Sequence, residues 1–244
     1  MDTLIKDDYE FLIYPLEKGI SVGFSTAKGG LNFNKNTSEG LSNLNKLREW
    51  FSVKEVIYLS QVHGADVYDY KCGDNLVNKE GDGLVTSEKN TIIGVFTADC
   101  VPIILVDRVK GVMAVLHSGW RGTINNITNE GIKKMVYNYG SKVEDIQAFI
   151  GPHNKSCCYE VSEELIDTFK ENKLFKEEDI NIGRNLNLQK CVELELIKAG
   201  VKKENIIAIN LCTYCNEEKK LYSYRKQDES EGRLFSFVFA NEED

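Results

Sequence analysis

Two apolar runs set the tightest limit on what this chain can become. Residues 101–106 read VPIILV and residues 112–116 read VMAVL, with Asp107-Arg108-Val109-Lys110-Gly111 between them. Both are too short for a helix and rich in Val, Ile and Leu, so each reads as a strand. Neither alternates apolar with polar residues, so both faces of both strands must be covered. The five-residue link predicts a hairpin, with Gly111 supplying a positive φ. A pair of strands buried on both faces demands further layers above and below.

The rest of the chain supplies them. Residues 20–24, 56–62, 91–96, 205–210 and 234–240 are strand-like. Helical spacing appears at 38–51, where Ser38 is a cap and Leu41, Leu44, Leu47 and Phe51 form a stripe. It recurs at 123–139, through Ile124, Ile127, Ile132, Met135, Val136 and Tyr139, at about 162–171, and at 186–198. Strand pairs mixed with separate helices predict an α+β fold with sheets covered by helices. Only three prolines punctuate 244 residues, and no repeat or linker divides them. Residues 1–244 therefore read as a single domain.

Charge removes some classes of function. With 38 acidic and 30 basic residues, the formal charge is −8, and there is no long basic run. That excludes a nucleic-acid groove, though an anion can still be held locally. The apolar runs fall far short of the roughly 20 residues that cross a membrane. The opening MDTLIKDD lacks the basic region, apolar core and cleavage site of a secretory leader. A cytoplasmic protein is expected, and its seven cysteines are expected to be reduced thiols or metal ligands rather than a disulfide framework.

Three segments place scarce residue types next to glycine or polar turns at expected strand ends: QVHGAD at 61–66, TADCVP at 97–102 and LHSGWRG at 116–122. Two of the chain's three histidines lie in them. His63, Cys100 and His117 make a three-ligand zinc set that leaves a coordination position open for chemistry. The same atoms allow a second reading, with Cys100 as thiolate nucleophile, His117 as its base, and Asp99 or Asp66 orienting the imidazole. Bound zinc separates the two. The alternative without chemistry is two loop histidines beside a small buried thiol. Cys212-Thr213-Tyr214-Cys215 is a lone CxxC: a four-cysteine zinc site would need partners from Cys72, Cys157, Cys158 or Cys191 at spacings that match no zinc motif, so it reads as two packed thiols in a loop, with Cys157-Cys158 likewise packing. His153, after Gly151-Pro152, reads as a surface loop residue. Arg121 precedes the helix expected at 123, where a helix start and a guanidinium suit phosphate or carboxylate. Ser223-Tyr224-Arg225-Lys226 and Gly232-Arg233 add a basic, aromatic cluster that suits a nucleobase or sugar. Neither a P-loop nor a dinucleotide fingerprint occurs.

Taken in order, QVHGADV (61–67), GDGLVT (81–86), TADCVPI (97–103), LHSGWRGT (116–123), IGP with CCYEV (150–161), CTYC (212–215) and SYR with EGR (223–233) resemble one family. It is labelled multicopper polyphenol oxidoreductase or laccase, and includes YfiH- and YlmD-like zinc-dependent purine nucleoside phosphorylases with adenosine deaminase activity. The resemblance runs from about residue 19 to 240. It implies an α+β domain with mixed sheets packed between helices, layered α/β/β/α. It also implies one zinc ion on His63, Cys100 and His117, with adenosine, inosine, guanosine and methylthioadenosine as substrates and phosphate as co-substrate. No nucleic-acid or membrane partner is implied. Zinc acidifies a bound water to a pKa of about 7, which suits attack at C6 of adenosine, with Asp99 or Glu160 as proton shuttle. Substrate contacts then fall to Arg121, Ser118, Gln61, Tyr224 and Arg225. The laccase label fits poorly, because three histidines cannot furnish several copper centres.

The sequence also departs from the family pattern. Ser25-Thr26-Ala27-Lys28-Gly29-Gly30 carries Ala27 where the family usually has arginine, and Lys28 is a candidate replacement cation. Other functions consistent with the residues are a cysteine or zinc amidohydrolase acting on a cell-wall precursor, and a weakly active relative with a binding role.

Overall fold

A computed structural model describes residues 1–76, 78–226 and 231–242. The chain runs β1 (Asp2–Lys6), β2 (Tyr9–Pro15), β3 (Ile20–Ser25), α1 (Ser38–Trp50), β4 (Glu55–Ile57), β5 (Val67–Asp69), β6 (Gly83–Thr86), β7 (Thr91–Thr97), β8 (Val101–Asp107) and β9 (Met113–Ser118). It continues through α2 (Trp120–Ile124), α3 (Ile127–Tyr139), β10 (Ile146–Ile150), α4 (Glu163–Glu171), β11 (Asn181–Ile182), β12 (Asn185–Leu186), α5 (Leu188–Ala199), β13 (Ile206–Ala208) and β14 (Leu234–Ala240). Two six-stranded sheets result, ordered β1-β2-β3-β14-β7-β4 and β13-β10-β8-β9-β6-β5. Both are mixed, since β4 runs parallel to β7, β5 to β6 and β10 to β13, while the central pairs are antiparallel. No helix among the described residues is long and apolar enough to cross a membrane.

The two opening runs are β8 and β9, paired antiparallel with Ile104 opposite Val115, and every residue of both is buried. Gly111 has φ 72° in the turn between them. The pleat assigns their side chains to two cores. Val101, Ile103 and Leu105 join the cluster that includes residues of α3 and α5, whereas Ile104 and Val106 join the cluster between the sheets. In the other sheet, Phe235, Phe237 and Phe239 of β14 pack with Leu44, Leu47 and Trp50 of α1, and Leu234, Val238 and Ala240 face the inter-sheet core. The layering is thus α/β/β/α. Each fully buried Leu, Ile or Phe contributes about 1.5–3 kcal/mol, so continuous apolar strands are what hold both sheets between helices.

Several elements differ from the sequence reading. The strand expected at 56–62 ends at Ile57, because Gln61 takes over the pairing with its side chain. Its Oε1 accepts from Phe96 N–H (2.7 Å) and its Nε2 donates to the Phe96 carbonyl (2.8 Å). The helix expected over 123–139 is two helices, α2 and α3, broken where Asn126 adopts a left-handed φ of 60°. The cap of α1 is Thr37, whose hydroxyl accepts from Gly40 N–H, and not Ser38. Leu41 is exposed, and its place on the buried stripe falls to Asn43, whose amide donates to the Asn32 carbonyl. The β1–β2 hairpin went unread because its turn, Asp7-Asp8, reaches positive φ without glycine (49° and 68°).

One polar residue sits on an otherwise apolar stripe. Along α5, Leu188, Cys191, Val192, Glu195 and Leu196 are buried, and neither Glu195 oxygen has a hydrogen-bond partner. Burial pushes the Glu195 carboxyl up to about 8, opposed only by Thr128 of α3. A carboxyl raised in the folded state binds its proton more tightly there than when unfolded. Its contribution to stability is therefore full below the unfolded value near 4.5 and is lost as pH rises towards 8. Glu195→Gln is expected to change stability by less than about 1 kcal/mol at pH 5 and to raise it by about 4 kcal/mol at pH 8, measured by urea unfolding at both pH values.

Candidate functional site

Two strand ends and a loop converge on one point. His117 is near the end of β9, Cys100 lies in the short link between β7 and β8, and His63 lies in the loop between β4 and β5. Their ligand atoms lie within 4.8 Å of one another, and the two imidazole rings are 4.9 Å apart at 75°. Gly119 closes the space above them. A Cβ there would stand 3.1 Å from Cys100 Sγ and 3.3 Å from His63 Cδ2, so a side chain at 119 would crowd the donors.

Asp82, immediately before β6, holds this arrangement. Its carboxylate is fully buried. Oδ1 accepts from His117 Nδ1 (2.8 Å) and from His63 N–H (3.0 Å), and Oδ2 accepts from Gly64 N–H (2.7 Å) and Val62 N–H (3.2 Å). The loop wraps the carboxylate closely enough to put His63 at φ 60°. Burial alone would raise the Asp82 carboxyl, but His117 and the loop N–H groups hold it below the usual carboxylate value. Because Asp82 takes His117 Nδ1, Nε2 is left to face the other donors. A carboxylate behind a ligating imidazole is the usual support of a metal site.

The electrostatics agree with that chemistry. Burial would raise the Cys100 thiol, but His117 and His63 bring it down to about 6. Burial would likewise depress His117, yet Cys100 and Asp82 lift it to about 9. At neutral pH the pair is a thiolate beside an imidazolium. A thiolate and two imidazoles at this spacing form a donor set that zinc accepts.

The donors open into a cavity of about 620 Å³, within the range of small-molecule sites. Gln61, Asp99, Tyr224 and Arg225 line it with the three donors, as do Asn34, Lys35, Phe96, Thr97, Tyr159 and Arg233. Asp99 adopts φ 98°, a strained conformation that surrounding bonds fix. Its Oδ1 accepts from Thr213 Oγ1 (2.6 Å), its Oδ2 from Arg225 N–H (3.0 Å) and its carbonyl from Asn154 N–H (2.9 Å). The Arg225 guanidinium lies 4.4 Å over the Tyr159 ring and donates to the Glu160 carbonyl.

Other expected site residues lie apart from the cavity wall. The Glu160 carboxylate is exposed and pairs with Arg184. Ser118 is buried, with its hydroxyl on Thr123 (2.8 Å). Arg121 stacks on Trp120 at 4.3 Å and is absent from the lining. Lys28 pairs with Glu10 (3.9 Å) and is absent from the lining, while Ala27 is fully buried.

Sequence reasoning missed Asp82, Lys35, Thr97 and Tyr159. Asp82 stood inside the quoted GDGLVT, but nothing local tied it to His117. Thr97 is buried, and its hydroxyl has no protein partner. Burial pushes the Tyr159 phenol up to about 12, so it stays a donor. His153 requires correction. It is fully buried rather than a surface residue, with Nδ1 donating to the Gly151 carbonyl (2.8 Å). Burial depresses it to about 4, so it remains neutral. The thiols at 157, 158, 212 and 215 also differ from the expected separate packing pairs. Their sulfurs gather in one cluster, with Cys157 and Cys215 exposed.

The family described as multi-copper polyphenol oxidoreductase laccase matches residues 16–241. A purine nucleoside phosphorylase of Clostridium acetobutylicum is 44% identical over 232 residues, covering 95% of this chain and 96% of that one. An adenosine deaminase named RL5, from an unknown prokaryotic organism, is 36% identical over 164 residues, covering 65% of this chain and 62% of the other. The crystal structure of YlmD from Geobacillus stearothermophilus superimposes with a TM-score of 0.85 at 26% identity, covering 98% of this chain and 99% of that one.

Asp82→Asn tests the support of the donor set. An amide nitrogen in place of Oδ2 would face the N–H groups of Val62 and Gly64, leaving both unpaired. Stability is expected to fall by about 2–4 kcal/mol, and zinc affinity by about 10–100-fold. Denaturant unfolding and chelator competition measure the two.

Proposed function

The chain belongs to the multi-copper polyphenol oxidoreductase laccase family, and from that premise we propose that it is a zinc-dependent purine nucleoside phosphorylase with adenosine deaminase activity. Its substrates are adenosine, inosine, guanosine and methylthioadenosine, with phosphate as co-substrate. One observation carries the reading. The His63–Cys100–His117 donor set opens into a cavity that also presents three cationic side chains and three aromatic rings. The names of the relatives from Clostridium acetobutylicum and of RL5 point to the same two activities.

His63, Cys100 and His117 hold the zinc ion, with Asp82 fixing the His117 tautomer. When bound, zinc supplies Lewis acidity that polarises an oxygen of substrate or water. The other steps belong to the protein. Lys35, Arg225 and Arg233 line the cavity and neutralise phosphate, a role in which guanidinium groups give paired, directional hydrogen bonds. Phe96, Tyr159 and Tyr224 offer ring faces and edges to the purine. In phosphorolysis a phosphate oxygen bonds to C1′ of the ribose as the bond to the purine nitrogen breaks, and the electron pair leaves with the base. The cations hold the attacking oxygen in place and balance its charge. In deamination, water adds at C6 and ammonia leaves. Asp99 is the one carboxylate lining the cavity among the described residues. With both oxygens engaged, it acts as a positioning residue for Arg225. Arg121 is left outside this machinery, so phosphate handling passes to Lys35, Arg225 and Arg233.

The test uses the purified full chain. Inosine is expected to yield hypoxanthine only when phosphate is present, and adenosine to yield inosine and ammonia. Arg225→Ala should raise the KM for phosphate tenfold or more, a loss of about 1.4 kcal/mol or above. Cys100→Ser should lose both zinc and turnover. Base release that ignores phosphate, or full activity in a zinc-free Cys100→Ser chain, would sink the reading. Cleavage of an amide substrate in place of nucleosides would support the amidohydrolase reading instead.

A further inference from the structure

The second cluster of soft ligands lies outside the cavity and is unused by the proposed chemistry. Cys157 and Cys158 sit in the turn at 155–158 that follows β10, where the N–H groups of Cys158 and Tyr159 both bond to the Lys155 carbonyl. Cys212 and Cys215 bracket the turn that follows β13. Because β10 and β13 are parallel neighbours, both turns emerge at the same end of the sheet. The isolated bridge from His153 to Cys212 carries the pairing beyond the strands. All four sulfurs fall within 4.8 Å of one another, and Cys157 Sγ is 3.5 Å from Cys215 Sγ.

Those spacings match a particular geometry. A tetrahedral zinc ion with Zn–S bonds of about 2.3 Å holds its sulfurs roughly 3.8 Å apart. All four residues are free cysteines, and 3.5 Å is a non-bonded separation, far from the roughly 2.05 Å of a disulfide. Cysteine binds a metal as the thiolate. A tetrahedral set of four thiolates selects zinc over magnesium, calcium or manganese.

We propose that Cys157, Cys158, Cys212 and Cys215 form a second, structural zinc site that clamps the 155–161 turn to the 211–216 turn. The clamp has a consequence for the cavity. Tyr159 follows Cys158 directly and lines the cavity. Thr213, between Cys212 and Cys215, holds Asp99, which in turn holds Arg225. One ion thus fixes the aromatic and cationic wall from behind, without touching substrate. All four coordination positions are filled by sulfur, so the site has no open position for chemistry.

Metal counting in the full chain tests this independently of any activity. With the cavity donors removed by His63→Ala and Cys100→Ser, one equivalent of zinc per chain is expected to survive gel filtration. Refilling that variant with cobalt alone should give the intense visible bands of a tetrahedral tetrathiolate. Adding Cys157→Ser and Cys215→Ser should remove this last equivalent and lower the melting temperature, whereas Cys72→Ser, outside the cluster, should keep it. The decisive measurement uses the variant with the cluster intact, so it does not depend on whether the cluster variant folds. No bound metal in that variant, with all four cluster thiols reacting freely with a thiol reagent, would overturn the proposal. So would cobalt bands weaker than a tetrathiolate gives, or iron retained in preference to zinc when both are offered.

Discussion

Four hydrogen-bond donors converge on the buried carboxylate of Asp82, and the site depends on that convergence. Taking a carboxylate out of water costs several kcal/mol unless its oxygens are met by well-placed donors. Here they are met by His117 and by the three consecutive N–H groups of Val62, His63 and Gly64. The bonds tie the loop beyond β4 to β6 and β9, which already pair with each other in one sheet. His117 N–H also donates to the Asp82 carbonyl (2.7 Å), so the same residue grips the histidine through main chain and side chain. Hydrogen bonds of the fold thus hold the His117 imidazole and the His63 loop in position.

How much of this was legible in the sequence follows from what each residue needed to be noticed. His63, Cys100 and His117 were readable because histidine is scarce and each stands in a short segment of glycine or polar residues close to an apolar run. Asp82 was not, because one aspartate among 38 acidic residues carries no such rarity and its partner is 35 positions away. The layers were readable from apolar runs without alternation. The short strand at β4 was not, because Gln61 replaces a backbone partner with a side-chain amide, and no period in the sequence reports that. The cysteine cluster was hidden for a topological reason. Cys158 and Cys212 are far apart in sequence, and only the parallel pairing of β10 with β13 brings their turns to one sheet end.

Charge needs the same local reading. A chain of net charge −8 repels polyanions at a distance, yet three cationic side chains border one cavity. The sequence drew attention to Arg121 and Lys28, but the former stacks on Trp120 and the latter pairs with Glu10. Lys35, five positions beyond Gly30, reaches the cavity and donates to Ser60 Oγ (2.9 Å). Once Ala27 is buried, the segment after it supplies the cation instead.

The position of Cys100 reflects how the two sheets are joined. β7 belongs to one sheet and β8 to the other, and packed sheets lie about 10 Å apart. Only Ala98, Asp99 and Cys100 separate the strands. Four Cα steps at no more than about 3.6 Å each span roughly 14 Å, so the link has little slack. Its strain concentrates at Asp99, whose φ of 98° is tolerated because Thr213, Arg225 and Asn154 fix it from three sides. A tight crossing therefore sets Cys100 against the histidines and turns Asp99 towards Arg225 in the same step. The donor side of the cavity is anchored by Asp82 and the cationic side by Asp99. Between them runs the short link that joins the sheets, so loosening either carboxylate would disturb Cys100 as well as its own partners.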